Sequence, residues 1–251
     1  MIVGICNAAK VEKSPIIFLF HKGLIPIEQW AGLKNIIDYQ SEICGIPCFV
    51  QLDHGNEISE FEEAIKLDFA AIQVDVGKYD LPNNIDFTRK MVNKAKAKNI
   101  LVEGTLGHIG TTSSILNTDF FNIEDIEEYV ISTGIDMLAI SFGNAHGEYI
   151  ETPTLDYKSL GKIQEFTNIP LVLHGGSFIP KKDLVKSIGY GISKANFWTE
   201  LSYAYSKSLL EEFTINPKPY FLLEIVAVAR MEVQHIAQKK IKSLKSFNRL
   251  Q

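Results

Sequence analysis

Cysteine is scarce in this chain: Cys6, Cys44 and Cys48 are the three among 251 residues. They cannot all pair and form no CxxC, which excludes a disulfide scaffold and a four-cysteine zinc site. Reduced core thiols in a cytosolic protein are the expected reading. Also missing is any apolar run near the roughly 20 residues that span a bilayer, and the start, Met1 to Cys6, lacks the basic n-region of a signal peptide. We therefore expect a cytoplasmic protein with no membrane partner. Positive charge is not in excess, with 25 Lys and Arg against 30 Asp and Glu and a net charge of −5. That balance argues against nucleic acid as the main partner, because a phosphate backbone asks for a basic face. The basic stretch Gln238 to Lys245 reads as the solvated end of a helix. No Pro/Gly/Ser-rich linker interrupts the chain, so residues 1–251 are expected to form a single domain.

What is present is a repeat of short apolar runs and amphipathic stretches. The runs are Ile16–Phe20, Pro47–Leu52, Ala70–Val74, Ile100–Val102, Met137–Ser141, Leu171–Leu173 and Gly191–Ala195. Their brevity and their content of Ile, Val and Phe predict strands buried on both faces. Helical periodicity lies between them, over residues 27–43, 57–65, 85–96 and 125–130. Alternation of this kind implies right-handed βαβ units and a parallel sheet. The length suits an α/β barrel of the TIM (β/α)8 type. Such a barrel has eight strands and seven are visible. The chain opens on a helix-like stretch, Val3 to Val11, so the first strand is expected to be missing or truncated at the N-terminus.

Candidate chemistry falls at strand ends. His54, His146 and His174 follow three different strands, and in a barrel those ends converge on one face. Three imidazoles with an open fourth position would make a catalytic zinc site. Asp53, Asp75, Glu103 and Asn144 are their neighbours, and the carboxylates either orient imidazoles or move protons. The alternative is that these are ordinary loop histidines. Gly175-Gly176-Ser177 follows the sixth run, and Asn196 to Glu200 opens a helix after the seventh. With one strand absent these become the loops after strands seven and eight, where barrels often hold phosphate. The bland alternative is a Gly-Gly turn and a Thr199 helix cap. Trp30 and Trp198 are expected to be packing residues.

The ordered set Gln51-Leu52-Asp53-His54-Gly55, Val102-Glu103-Gly104-Thr105-Leu106-Gly107, Ser141 to Gly147, Pro170 to Ser177 and Lys194 to Glu200 resembles the class II, zinc-dependent fructose-bisphosphate and tagatose-bisphosphate aldolases. The resemblance implies that His54, His146 and His174 bind Zn2+. It implies that Asp53 handles the proton on the aldehyde oxygen. Gly175, Gly176, Ser177, Asn196 and Thr199 would face the phosphate and enediolate of dihydroxyacetone phosphate. Glu103 and Asp75 would support the imidazoles or offer an alternate metal position. It further implies a monovalent cation near the phosphate loops, a phosphorylated sugar as substrate, and a homodimer or homotetramer.

The chain departs from that pattern at several positions. Thr105 stands where a second acidic residue is usual, and Gly77 where a Ser is usual. Trp198 is larger than the family residue, and His21 lies where Ser or Thr tends to bind phosphate. The loop Gly110 to Asn117 has no carboxylate, although the family's mobile loop usually supplies one. Three readings follow: a zinc aldolase acting on a phosphorylated ketose, with or without a changed substrate; a non-catalytic or regulatory zinc-binding barrel; and a zinc hydrolase on the same scaffold.

Overall fold

The computed structural model describes residues 1–107, 122–149, 151–215 and 222–250. Seven strands form one sheet in sequential order: β1 (Ile16–Phe20), β2 (Cys48–Gly55), β3 (Ala71–Val74), β4 (Leu101–Leu106), β5 (Met137–Ile140), β6 (Leu171–Leu173) and β7 (Ile192–Ala195). Every pairing from β2 through β7 is parallel. Helices alternate with the strands, which is the (β/α)-barrel plan carried by seven strands among the described residues. All seven apolar runs became strands. The helical stretch at the start is α1 (Ile2–Glu12), and α2 (Trp30–Cys44) lies between β1 and β2.

The chain divides into two compact units. The larger comprises Ile17–Lys34 and Phe49–Asn196. In it, β3 and β6 are buried along their whole length, as expected of strands covered on both faces. Its helices begin where side chains satisfy their free N–H groups. In α3 (Ile58–Lys66) the Glu60 carboxylate accepts from the backbone N of Asn56 and Glu57. Asp80 caps α4 (Leu81–Lys96) by accepting from Asn83 N, with Pro82 in the first turn. Asn122 and Asp156 cap α5 (Ile123–Thr133) and α6 (Tyr157–Thr167) in the same way. Gly134 ends α5 at φ 66°, a left-handed turn suited to glycine. After β6 comes α7 (Lys181–Ile188).

The strand interiors are not wholly apolar. Gln51, Gln73, Glu103 and Thr105 are each 0% exposed. Polar side chains this deep cost free energy unless paired, and their partners lie at the candidate site.

The smaller unit comprises Met1–Ile16, Asn35–Cys48 and Phe197–Gln251. It packs α1 and α8 (Thr199–Ile215) against α9 (Leu222–Ser243) around Ala8, Ala9, Ile46, Leu201, Val233, Ala237 and Ile241. The crossing of α1 and α9 is tight at Gly4, where an added Cβ would lie 2.7 Å from the Arg230 carbonyl oxygen. Part of the basic end of α9 is anchored rather than solvated, with Lys240 pairing with Glu200 and Lys242 with the buried Glu12. The Cys6 and Cys48 thiols lie 3.9 Å apart in this unit.

The two tryptophans separate. Trp30 is fully buried against Phe20 and Phe69, and its indole N–H donates to the Ile25 carbonyl at 2.9 Å. Trp198 is half exposed, so the packing role expected of it is corrected. Replacing Trp30→Ala is expected to lower unfolding stability by about 3–5 kcal/mol, measured by urea titration. A loss under about 1 kcal/mol would mean that the surrounding rings collapse to fill the space.

Candidate metal centre

His54 lies near the end of β2 in a left-handed backbone conformation, φ 54°. Its Nδ1 lies 2.5 Å from Asp75 Oδ2, just past β3. A carboxylate only accepts, so Nδ1 is the donor of this bond, and in the neutral ring Nε2 carries the lone pair. Burial pulls the His54 pKa down, but the Asp75 hydrogen bond and the charges of Asp53, Asp75 and Glu103 outweigh it and raise the value. Asp75 is lowered in turn, because the His54 contact overcomes its own desolvation.

His174 follows β6 and is fully buried. Its Nε2 meets Glu103 Oε1 at 2.8 Å. The Glu103 carboxylate, on β4, also accepts from Gln51 Nε2 at 2.8 Å and Lys194 Nζ at 2.9 Å. Desolvation would raise its pKa, yet Lys194, His174 and Gln51 together hold it well below the usual carboxylate range. Lys194 also donates to Asn196 Oδ1, and Asn196 Nδ2 lies 3.2–3.4 Å from the His174 ring nitrogens.

His146 sits in the loop after β5. Asn144 accepts from Phe142 N and donates to the His174 carbonyl. The Tyr149 hydroxyl accepts from Ala145 N at 2.8 Å and donates toward the carbonyls of Ala145 and Gly175, at 2.9 and 3.1 Å. Gly175 permits this approach: at φ 62°, an added Cβ would fall 2.0 Å from the Ala145 oxygen. Burial, followed by the charges of His54 and His174, lowers the His146 pKa to about 4.

The three imidazoles stand edge to face, with ring centroids 4.8–5.6 Å apart. One nitrogen from each lies within 4.8 Å of the others. His146 Nε2 and Asp53 Oδ1 are buried with no hydrogen-bond partner among the described residues. A buried, unpartnered imidazole nitrogen that is neutral at pH 7 is what a divalent cation requires of a ligand. The residues present therefore fit a metal ion.

The histidines, Asp53, Asp75, Glu103 and Asn196 come together in the larger unit. Gly175, Gly176 and the buried Ser177 follow His174 there, with Gly176 N donating to the Asn196 carbonyl. Thr199 is the first residue of α8, in the smaller unit. His108 and Gly110 to Asn117 lie outside the described residues. Gln51, Gln73, Lys194 and Tyr149 are additional residues of the site. Polar residues inside short both-faces-buried strands were the signal for the first three. His21 is another, its ring centroid 5.7 Å from that of His54.

The family described as class II fructose-bisphosphate aldolase matches residues 1–249. The chain belongs to this family. Its place there makes it a carbon–carbon lyase of the aldolase type. It is similar to the fructose-bisphosphate aldolase of Staphylococcus epidermidis, 33% identical over 98% of this chain and 88% of that protein. It is also similar to the sulfofructosephosphate aldolase of Alkalicoccus urumqiensis, 30% identical over 99% of this chain and 88% of that protein. Among solved structures, the YdjI aldolase from Escherichia coli K12 superposes with a TM-score of 0.87 at 26% identity, over 100% of this chain and 89% of that one. The fold is thus shared with that aldolase. No described helix is long and apolar enough to cross a membrane.

Because the folded state resists protonating His146 until about pH 4, the unfolded chain binds the extra proton between that pH and about 6.5. Stability of the metal-free protein is therefore expected to fall as pH drops from 6.5 to 4, with this residue adding a slope of up to about 1.4 kcal/mol per pH unit. Urea titrations across that range should show a shallower slope for His146→Gln; an unchanged slope would assign the loss to other groups.

Proposed function

We propose that the chain is a zinc-dependent aldolase that reversibly cleaves a phosphorylated ketose to dihydroxyacetone phosphate and an aldehyde. The observation that carries the reading is the group of His54, His146 and His174 with a buried, unpartnered nitrogen on His146. Bound zinc would polarise the ketone carbonyl and offset negative charge as the carbon–carbon bond breaks. Family membership supports zinc over other ions, and three imidazoles with an open position suit it.

The chain's own residues then have separable tasks. Asp75 and Glu103 fix the rings of His54 and His174 by hydrogen bonds of 2.5 and 2.8 Å, leaving Nε2 of His54 and Nδ1 of His174 as the nitrogens that would hold a metal. Asp53 has a buried oxygen without a partner among the described residues and is assigned the proton on the aldehyde oxygen. Gly175, Gly176, Ser177, Asn196 and Thr199 are assigned to the phosphate end, as the family resemblance implies. A monovalent cation near these loops, a homodimer or homotetramer, a cytoplasmic place in carbohydrate metabolism such as glycolysis, and a single domain over residues 1–251 complete the reading. The ketose is left open between fructose and tagatose types and a changed sugar. Relatives named for fructose bisphosphate and for sulfofructosephosphate match at comparable identity, 33% and 30%, so similarity favours neither sugar.

The test is deuterium exchange from heavy water into dihydroxyacetone phosphate, followed by NMR, with zinc and with chelator. Zinc-dependent exchange is expected, and His146→Gln should abolish it. Asp53→Asn should cut cleavage by about 10²–10⁴-fold while exchange persists, since its proton belongs to the aldehyde half. No exchange by the zinc-loaded protein would favour a non-catalytic barrel or a different substrate.

A further inference from the structure

In β3 the only polar side chain is Gln73, fully buried between Ile72 and Val74. Leaving its amide unmatched would cost about 1–3 kcal/mol, so its partners carry information. Nε2 donates to the Thr105 hydroxyl on β4 at 2.9 Å. Oε1 accepts from the backbone N of His54 at 2.8 Å.

That second bond falls where the ladder is broken. Leu52 faces Ile72 and Gly55 faces Val74, so Asp53 and His54 together oppose Gln73 alone. This is a β-bulge, a device that re-aims side chains and leaves a backbone group without its ladder partner. His54 occupies the left-handed region at φ 54°, which costs an L-residue about 1–2 kcal/mol. The N–H freed by the bulge goes to the Gln73 side chain. Two residues along the same strand direction, Asp75 holds the His54 ring. The β3 segment thus grips His54 twice, by backbone and by imidazole. Thr105, also 0% exposed, anchors the first grip from the far side, and its own carbonyl accepts from Asn84 Nδ2.

We propose that Gln73 is a positioning residue for His54, fixing the bulge that aims the imidazole at the metal, with Thr105 holding the Gln73 amide in orientation. The proposal rests on the reading of His54, His146 and His174 as metal ligands. It also gives a role to Thr105, the position where this chain departs from an acidic family residue: a hydroxyl accepts the amide hydrogen without placing another charge beside Glu103.

The test measures zinc affinity of the full chain by competition with a chromophoric chelator, together with the visible absorption of the cobalt-substituted protein. The cobalt band reports ligand geometry, which a purely structural loss of stability does not alter. Gln73→Met is expected to weaken zinc binding about 10- to 100-fold and to change the cobalt band. Thr105→Ser should behave as the parent, and Thr105→Val should lie between. Parent-like affinity and band in folded Gln73→Met would overturn the proposal. Should that variant fail to fold, Thr105→Val decides, and parent-like values there overturn it equally. A parent chain that binds no zinc, or that binds it undiminished after His54→Ala, would instead overturn the metal reading and the proposal with it.

Discussion

The Glu103 carboxylate has no solvent exposure and meets three partners: Lys194, Gln51 and His174. Together with Glu103 on β4, these lie on four different strand segments, the others being β2, β7 and the end of β6, so one buried charge ties much of the sheet to one geometry. Removing a single partner from such a pair leaves an uncompensated ion and typically costs about 3–5 kcal/mol. The arrangement also transmits. Lys194 neutralises the carboxylate and holds Asn196 with its other hydrogens, while the carboxylate holds the His174 ring. A barrel interior filled with Val and Leu would pack as well, but it would not specify which way an imidazole turns.

A second constraint is the crowding of three imidazoles with centroids 4.8–5.6 Å apart. Like charges repel strongly at such distances. The structure distributes the problem unequally: the Asp75 hydrogen bond and nearby carboxylates raise His54 against its burial, whereas burial, followed by the charges of the two neighbouring rings, lowers His146. The low value leaves His146 with a lone pair rather than a proton at pH 7, the form in which an imidazole can hold a cation.

Much of the architecture was legible in the residues because buried strands leave a simple mark. All seven apolar runs became strands, and the three histidines at or just past the ends of strands two, five and six converged. The support around them was harder to read. Gln51, Gln73 and Lys194 each sit within an apolar run, and a lone polar residue there has no visible partner until the strands are ordered side by side. The Gln73 bond also depends on a bulge, a register change that periodicity does not reveal. Trp198 misled for the opposite reason: a large ring is usually buried, and this one is half exposed.

The close approach between Gly175 and the Ala145 carbonyl has a bearing on how such a scaffold diversifies. Any side chain at 175 collides with the backbone of the His146 loop, and Gly143 is equally confined by the Thr154 carbonyl, 2.3 Å from where its Cβ would be. Mutational drift at these two positions is closed off by main-chain geometry, whatever sugar is offered. New selectivity has to be sought at side chains with room to vary, such as the half-buried His21 beside His54. A combinatorial library built on this chain would gain nothing from randomising the glycines and most from keeping them as fixed hinges between variable neighbours.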